Sequence, residues 1–188
     1  MGRWEPDARG RLEQAAMELY LDRGFEPTTV ADIAARAGLT ERTFFRHFAD
    51  KREVLFGGSA ALQDLLVRSV AEAPSFVGAM DAVAAALDAA GGLFEANRAR
   101  SRRRQVVIDA NPVLQERELI KLASLATAMA AALRSRGVTE PAAALSAEAG
   151  IAVFRVAFDR WINGADDVTL QELMRDSLAQ LRAVTADN

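Results

Sequence analysis

Residues 29–51, TVADIAARAGLTERTFFRHFADK, constrain the fold more than any other stretch of the chain. Thr29 is placed to cap a helix, and Asp32 three residues on completes a capping box. Val30, Ile33, Ala34 and Ala37 recur at three- and four-residue spacing, which gives that helix one apolar face. Gly38 accepts the positive φ that ends a helix. Leu39 plugs the turn, and Thr40 caps a second short helix over residues 41–48. Two short helices joined by a glycine turn make a helix-turn-helix, whose second helix can enter the major groove of DNA. Phe44 and Phe48, four residues apart, face inward. Arg42, Thr43, Arg46 and His47 are left on the outer face, with Lys51 just beyond. Arginine pairs bidentately with guanine, and threonine meets a base edge or a phosphate. The plainer alternative is an amphipathic helical hairpin with a solvated face.

The flanks favour the first reading. The run RGFEPTTVADIAARAGLTERTFFRHFADKREVLF contains Gly24-Phe25, Thr28-Thr29, Asp32-Ile33-Ala34, Ala37-Gly38-Leu39, Thr43, Phe45-Arg46-His47-Phe48, Lys51 and Val54-Leu55 in one uninterrupted order. It resembles the N-terminal domain of TetR-family transcription regulators. The resemblance implies an all-α chain in two domains. Residues 1–50 would form a three-helix, helix-turn-helix DNA-binding domain, and residues 51–188 a larger helical domain for ligand binding and dimerisation. It further implies a homodimer on double-stranded operator DNA, acting as a repressor released by a small-molecule effector. Thr29, Thr40, Arg42, Thr43, Phe45, Arg46, His47 and Lys51 would carry the DNA contacts. The family usually has Tyr where this chain has Phe45, and that hydroxyl commonly touches a phosphate. Phe45 keeps the packing and loses that hydrogen bond.

Charge complicates this reading. The chain of 188 residues carries a formal net charge of −3, whereas nucleic-acid binders are usually basic overall. Residues 1–57 hold nine Lys and Arg against ten Asp and Glu, a net of −1. The acids Glu5, Asp7, Glu13, Glu18 and Asp22 fall mostly on the first helix. Arg42, Arg46, His47, Lys51 and Arg52 gather around the second helix of the motif. A local basic patch on a repelling surface predicts weak non-specific binding and dependence on correct base contacts.

The remaining chain is helical in pattern, and no strand pattern stands out. Residues 7–23 carry Leu12, Ala15, Ala16, Leu19 and Tyr20 at helical spacing, with Pro6 at the start and Gly24 at the end. Asp50 is a fair cap for a long helix beginning at Lys51 and carrying Val54, Leu55, Leu62, Leu65, Leu66 and Val70, with Gly57-Gly58 interrupting it. Helices are expected over 75–90, 93–110, 113–136, 141–163 and 169–184. Gly91-Gly92 would be a weak point, and Asn111-Pro112 a stop. The segment AGIAVFRVAFDRWI, residues 149–162, is apolar nearly all round. Val153, Phe154, Val156, Ala157, Phe158 and Trp161 cannot all point one way, so one flank, including Ala157, should be open for a partner subunit.

Chemistry-bearing groups are few. There is no Cys and only one His, which leaves no disulfide framework, no thiolate or His-rich metal site, and no catalytic triad away from the recognition helix. No catalytic residues, metal or cofactor are expected. Glu116 with Glu118, and Asp166 with Asp167, read as solvated carboxylates. The chain start lacks an apolar signal core, and no run of 18 or more uncharged apolar residues occurs, so a cytoplasmic protein without a membrane partner is expected. Arg98, Arg100, Arg102, Arg103 and Arg104 form either a solvated basic face or an anion site, with Arg98 and Arg102 lining it. Phe94, Met129, Phe154, Phe158 and Trp161 are either ordinary core or the wall of an apolar ligand cavity. The C-terminal half also resembles an actinobacterial TetR subgroup that includes mycofactocin-associated regulators. That likeness implies an acyl-coenzyme A-like effector, apolar with an anionic group. The rival reading is an α-helical enzyme or small-molecule carrier using the C-terminal cavity.

Overall fold

A computed structural model describes residues 7–164 and 167–186, and these form nine α-helices and one short 3-10 helix with no strand among them. Pro6 and Asp166 lie outside the described residues. The helices are α1 (Ala8–Arg23), α2 (Val30–Arg36), α3 (Glu41–His47), the 3-10 helix Glu53–Phe56, α4 (Ser59–Glu72), α5 (Ala79–Glu95), α6 (Arg98–Asp109), α7 (Pro112–Ser135), α8 (Ala142–Asn163) and α9 (Leu170–Ala186). The all-α expectation is met.

The chain divides into two compact units. One is Met1–Gly58 with Arg103–Glu118, and the other is Ser59–Arg102 with Leu119–Asn188. The boundary drawn from sequence at 50/51 differs from this division in two places. Val54, Leu55 and Phe56 are buried in the same cluster as Leu12, Ala16 and Phe44, so the first unit extends past residue 50. Val107, Ile108 and Leu114, from the end of α6 and the start of α7, join that cluster too.

In the first unit, α1 buries Leu12, Ala15, Ala16, Leu19 and Tyr20, the face its spacing predicts. Asp7 caps it by accepting the N–H of Gly10 at 2.9 Å. The long helix expected from Lys51 begins only at Ser59. Asp50 Oδ1 accepts the N–H groups of Arg52 at 2.7 Å and Glu53 at 3.2 Å. This closes a tight turn into the 3-10 helix, whose three apolar residues must go under α1. Gly57 lies under the side chains of α1: a Cβ there would stand 2.7 Å from Glu13 Oε1 and 2.8 Å from Arg9 Nη2, the ends of two flexible side chains. Gly57-Gly58 therefore precedes α4 and does not interrupt it. The apolar stretch Glu53–Glu72, whose inner 18-residue window has mean hydropathy 1.2, is accordingly shared out. Val54 to Phe56 serve one core, and Leu66 and Val70 serve the other.

The second unit packs α5, α8 and α9 against α4 and the later part of α7. Its core includes Val83, Ala86, Met129, Leu133, Ala147, Trp161 and Leu170. Gly91-Gly92 is not a break; α5 runs through it to Glu95, and the chain turns at Ala96 and Asn97. A Cβ on Gly91 would stand 2.4 Å from Gln171 Cγ and 3.3 Å from the Gln171 backbone nitrogen. On Gly150 it would stand 2.4 Å from Val83 Cγ1. Both glycines let helices approach more closely than alanine would allow. Along α8, Val153, Ala157 and Trp161 are buried, which corrects the placement of Ala157 on the open flank. That flank instead carries Leu145, 65% exposed, and Val156, 54% exposed, together with Ala152.

Candidate functional site

The turn between α2 and α3 is built from local chemistry. Thr29 Oγ1 accepts the N–H of Asp32 at 3.1 Å, and Asp32 Oδ2 accepts the N–H of Thr29 at 2.9 Å and its hydroxyl at 2.6 Å, so the capping box is complete. These bonds from Thr29, and then the guanidinium of Arg23, hold the Asp32 carboxyl below the usual carboxylate range. At the other end of α2, Gly38 adopts φ 67°. Its N–H reaches Ala35 O at 3.0 Å, and the Leu39 N–H reaches Ala34 O at 2.8 Å, the paired bonds of a Schellman termination. The Arg11 guanidinium donates to Ala37 O, and Arg36 pairs with Glu18 at 3.1 Å. Both tie the turn to α1.

Thr40 caps α3 by accepting the N–H of Thr43 at 3.2 Å. Phe44 and Phe48 are buried, with ring centroids 5.5 Å apart, as the spacing predicts. That rotation turns Arg42, Phe45 and Arg46 outward. They fall at i, i+3 and i+4, on a single helical face. Phe45 is 55% exposed and meets Phe44 edge-on at 5.5 Å. Thr43 is half-buried, its hydroxyl 3.1 Å from that of Thr40. His47 is also half-buried, with Nε2 enclosed, so it stands less freely outward than the sequence suggested.

Lys51 requires a correction. Its ammonium donates to the carbonyls of Phe25, Glu26 and Thr28, each at 2.9 Å, and lies 4.3 Å from the Phe25 ring centroid. An ammonium has three donors, and all three are used. Lys51 holds the loop between α1 and α2 and has no N–H left for a phosphate. The Tyr20 hydroxyl completes the knot by donating to Lys51 O at 2.6 Å. Burial first, and then the charge of Asp50, push the Tyr20 pKa up and keep this donor protonated.

Sequence reasoning missed a second set of contacts in the first unit. Arg104 donates to Leu55 O at 2.7 Å and to Glu118 at 2.9 Å, with its guanidinium 4.9 Å from the Phe56 ring centroid. Arg117 donates to Glu53 at 2.7 Å. Glu118 is therefore ion-paired and not a freely solvated carboxylate. No local spacing links residues so far apart in sequence.

In the second unit, Phe94, Phe154, Phe158 and Trp161 do come together. Phe94 lies 5.7 Å from Phe154, 5.7 Å from Phe158 and 6.4 Å from Trp161. Trp161 is buried, and the three phenylalanines are half-buried. Met129 is fully buried beside Gly150. Arg98 and Arg102 do not form the expected anion site. Arg98 donates to Trp161 O, to Gly164 O at 3.3 Å and to Val168 O at 3.4 Å. Arg102 donates to Ile162 O at 2.7 Å and Gly164 O at 2.8 Å. The physical reason is the end of α8: the last carbonyls of a helix lack intrahelical partners and carry partial negative charge. Both guanidinium groups donate to that end.

Comparison with known proteins agrees with this geometry. The family described as bacterial regulatory proteins, tetR family, matches residues 13–56. The chain is 29% identical over 179 residues to a Mycobacterium tuberculosis protein provisionally described as the mycofactocin biosynthesis transcriptional regulator MftR, covering 93% of this chain and 89% of that one. It is 36% identical over 84 residues to the HTH-type transcriptional regulator TcmR of Streptomyces glaucescens, covering 45% of this chain and only 37% of that one. Among solved structures, the transcriptional regulator FadR from Bacillus subtilis, in complex with stearoyl-CoA, superposes with a TM-score of 0.61 at 15% identity, covering 92% of this chain and 96% of that one.

Proposed function

The chain belongs to the TetR family of bacterial regulatory proteins, and on that premise we propose that it is a homodimeric transcription regulator, a repressor released from a palindromic operator by a small-molecule effector. The observation that carries this reading is the outer face of α3. Arg42, Phe45 and Arg46 stand exposed on one side of a seven-residue helix whose other side, through Phe44, is anchored in the core. Two guanidinium groups on an element of this width suit a major groove about 12 Å wide. Thr29, Thr40 and Thr43 stand at the starts of α2 and α3, and the exposed Thr29 and Thr40 are the supplementary contacts. His47 stands at the end of α3 as a flanking one.

Dimerisation rests on the open flank of α8, where Leu145, Ala152 and Val156 form an apolar strip beside α9. A two-fold contact between α8–α9 pairs would cover it, and a two-fold protein suits operator half-sites about 34–36 Å apart, one turn of DNA. The effector is an apolar molecule held against Phe94, Phe154, Phe158 and Trp161. The stearoyl-CoA bound by the Bacillus neighbour makes a fatty acyl chain the first class to try. Arg98 and Arg102 donate to the carbonyls at the end of α8, so an anionic end is not assigned to them.

The test is sequence selection from random duplexes, followed by a gel shift with and without long-chain acyl-coenzyme A. Sequence-selective retardation by a dimer supports the regulator reading. Failure to enrich any sequence refutes it, and selective binding unaltered by acyl-coenzyme A removes that effector class alone.

A further inference from the structure

We propose that Phe45 reads thymine: its ring packs against the C5-methyl group of one thymine in each operator half-site. This rests on the regulator reading above. Phe45 is the anomaly of the α3 outer face. It is a large aromatic, 55% exposed, standing between Arg42 three residues before it and Arg46 directly after it. Its one ring neighbour of note, Phe44, covers it edge-on at 5.5 Å and leaves the rest of the ring to solvent. The core of the unit does not need the ring, since Phe44 and Phe48 already fill the inner side of the helix.

The side chain has no donor and no acceptor, so neither a phosphate oxygen nor the polar edge of a base gives it a partner. The major groove offers one apolar group, the methyl of thymine, and phenylalanine is among the side chains that meet it. The flanking guanidinium groups make the match sharper. They draw the face toward the negative duplex and seek guanine edges or phosphates, which leaves the ring between them facing the groove floor. The face thus reads cation, apolar, cation, and the sequence it fits has a thymine bracketed by positions that arginine can read.

The experiment uses the full chain and an operator selected in vitro from random duplexes. Each thymine is replaced in turn, in both half-sites, by deoxyuridine, which lacks only the methyl. One position should weaken binding about fourfold per half-site, the factor for burying one such group, and about fifteenfold for the pair. With Phe45→Ala that position should lose its sensitivity while the other thymines keep theirs. Phe45→Leu, which keeps an apolar side chain, should retain part of it. Circular dichroism of both variants confirms the fold. Selective binding with the same deoxyuridine profile in the unmodified protein and in Phe45→Ala overturns the proposal and leaves the regulator reading intact. So does a uniform loss of affinity by Phe45→Ala at every sequence, which marks packing on the sugar-phosphate backbone. Absence of any selective binding by the unmodified protein is a different failure, and it overturns both.

Discussion

Replacing Lys51 by Met separates a structural lysine from a phosphate-binding one. The methionine keeps most of the apolar stem and removes the ammonium. Three carbonyls, of Phe25, Glu26 and Thr28, then lose their donor, and Phe25 loses the cation over its ring. A hydrogen bond involving a charged group contributes about 1.5–3 kcal/mol. The three are not additive, because Glu26 is exposed and its carbonyl recovers water. Thr28 is fully buried, and Lys51 was a donor to its carbonyl. The cation over the ring adds about 0.5–1 kcal/mol. A loss of about 2–4 kcal/mol in the stability of the first unit follows, read as a lower urea midpoint with an unchanged m-value. DNA binding supplies the discriminating measurement. A phosphate contact in each subunit would contribute about 0.9 each to the slope of log affinity against log salt. At a temperature where the variant remains folded, that slope should equal the slope of the unmodified protein. A flatter slope with unchanged urea stability would refute the structural assignment.

The other predictions concern separate parts of the molecule. Arg42→Ala should weaken binding to the selected operator by about 1–3 kcal/mol and relax its preference at one position, as read by titration against single-base variants. Gly150→Ala drives a Cβ to 2.4 Å from Val83 Cγ1 and should destabilise the second unit by about 1–3 kcal/mol, the usual range for overpacking, whereas the same change at the unobstructed Gly92 should be tolerated. Val156→Glu on the open flank of α8 should give a monomer that binds DNA poorly. In sedimentation, the unmodified protein should run at twice 20.3 kDa, and a monomer mass for it would remove the dimer from the reading.

The helix-turn-helix was legible because its determinants are local. Thr29 with Asp32, Gly38, Thr40 with Thr43, and Phe44 with Phe48 each act within a few residues, and each does in the structure what its spacing implies. The errors lie where a side chain looks beyond its own turn. Lys51 lies past the end of α3, so helical periodicity says nothing about its direction. Its partners stand 23–26 residues back along the chain. His47 is left on the outer face once Phe44 and Phe48 turn inward, yet it sits three residues beyond Phe44 and one before Phe48, on the shoulder of the buried face.

The second unit shows why glycine and arginine were harder to read than leucine. Within a helix, a glycine lowers local stability by about 1 kcal/mol relative to alanine, so Gly91-Gly92 read as a break. The opposing term is tertiary: at Gly91 there is no room for a Cβ against Gln171, and close packing of α5 on α9 outweighs the local loss. Arginine misleads in a similar way. A run of five between residues 98 and 104 looks like one charged face, but the structure divides it by partner. In an all-helical fold the unmet acceptors concentrate at helix C-termini, up to four carbonyls each, and a planar guanidinium with five donors can satisfy several at once. Arg98 and Arg102 do this for α8. Arg136 does it for α4, donating to Val70 O at 3.1 Å and to Pro74 O at 2.9 Å. These partners lie 62–66 residues away along the chain. A clustered arginine in such a chain is therefore better weighed first against the helix ends it could close, and only then against an anion from outside.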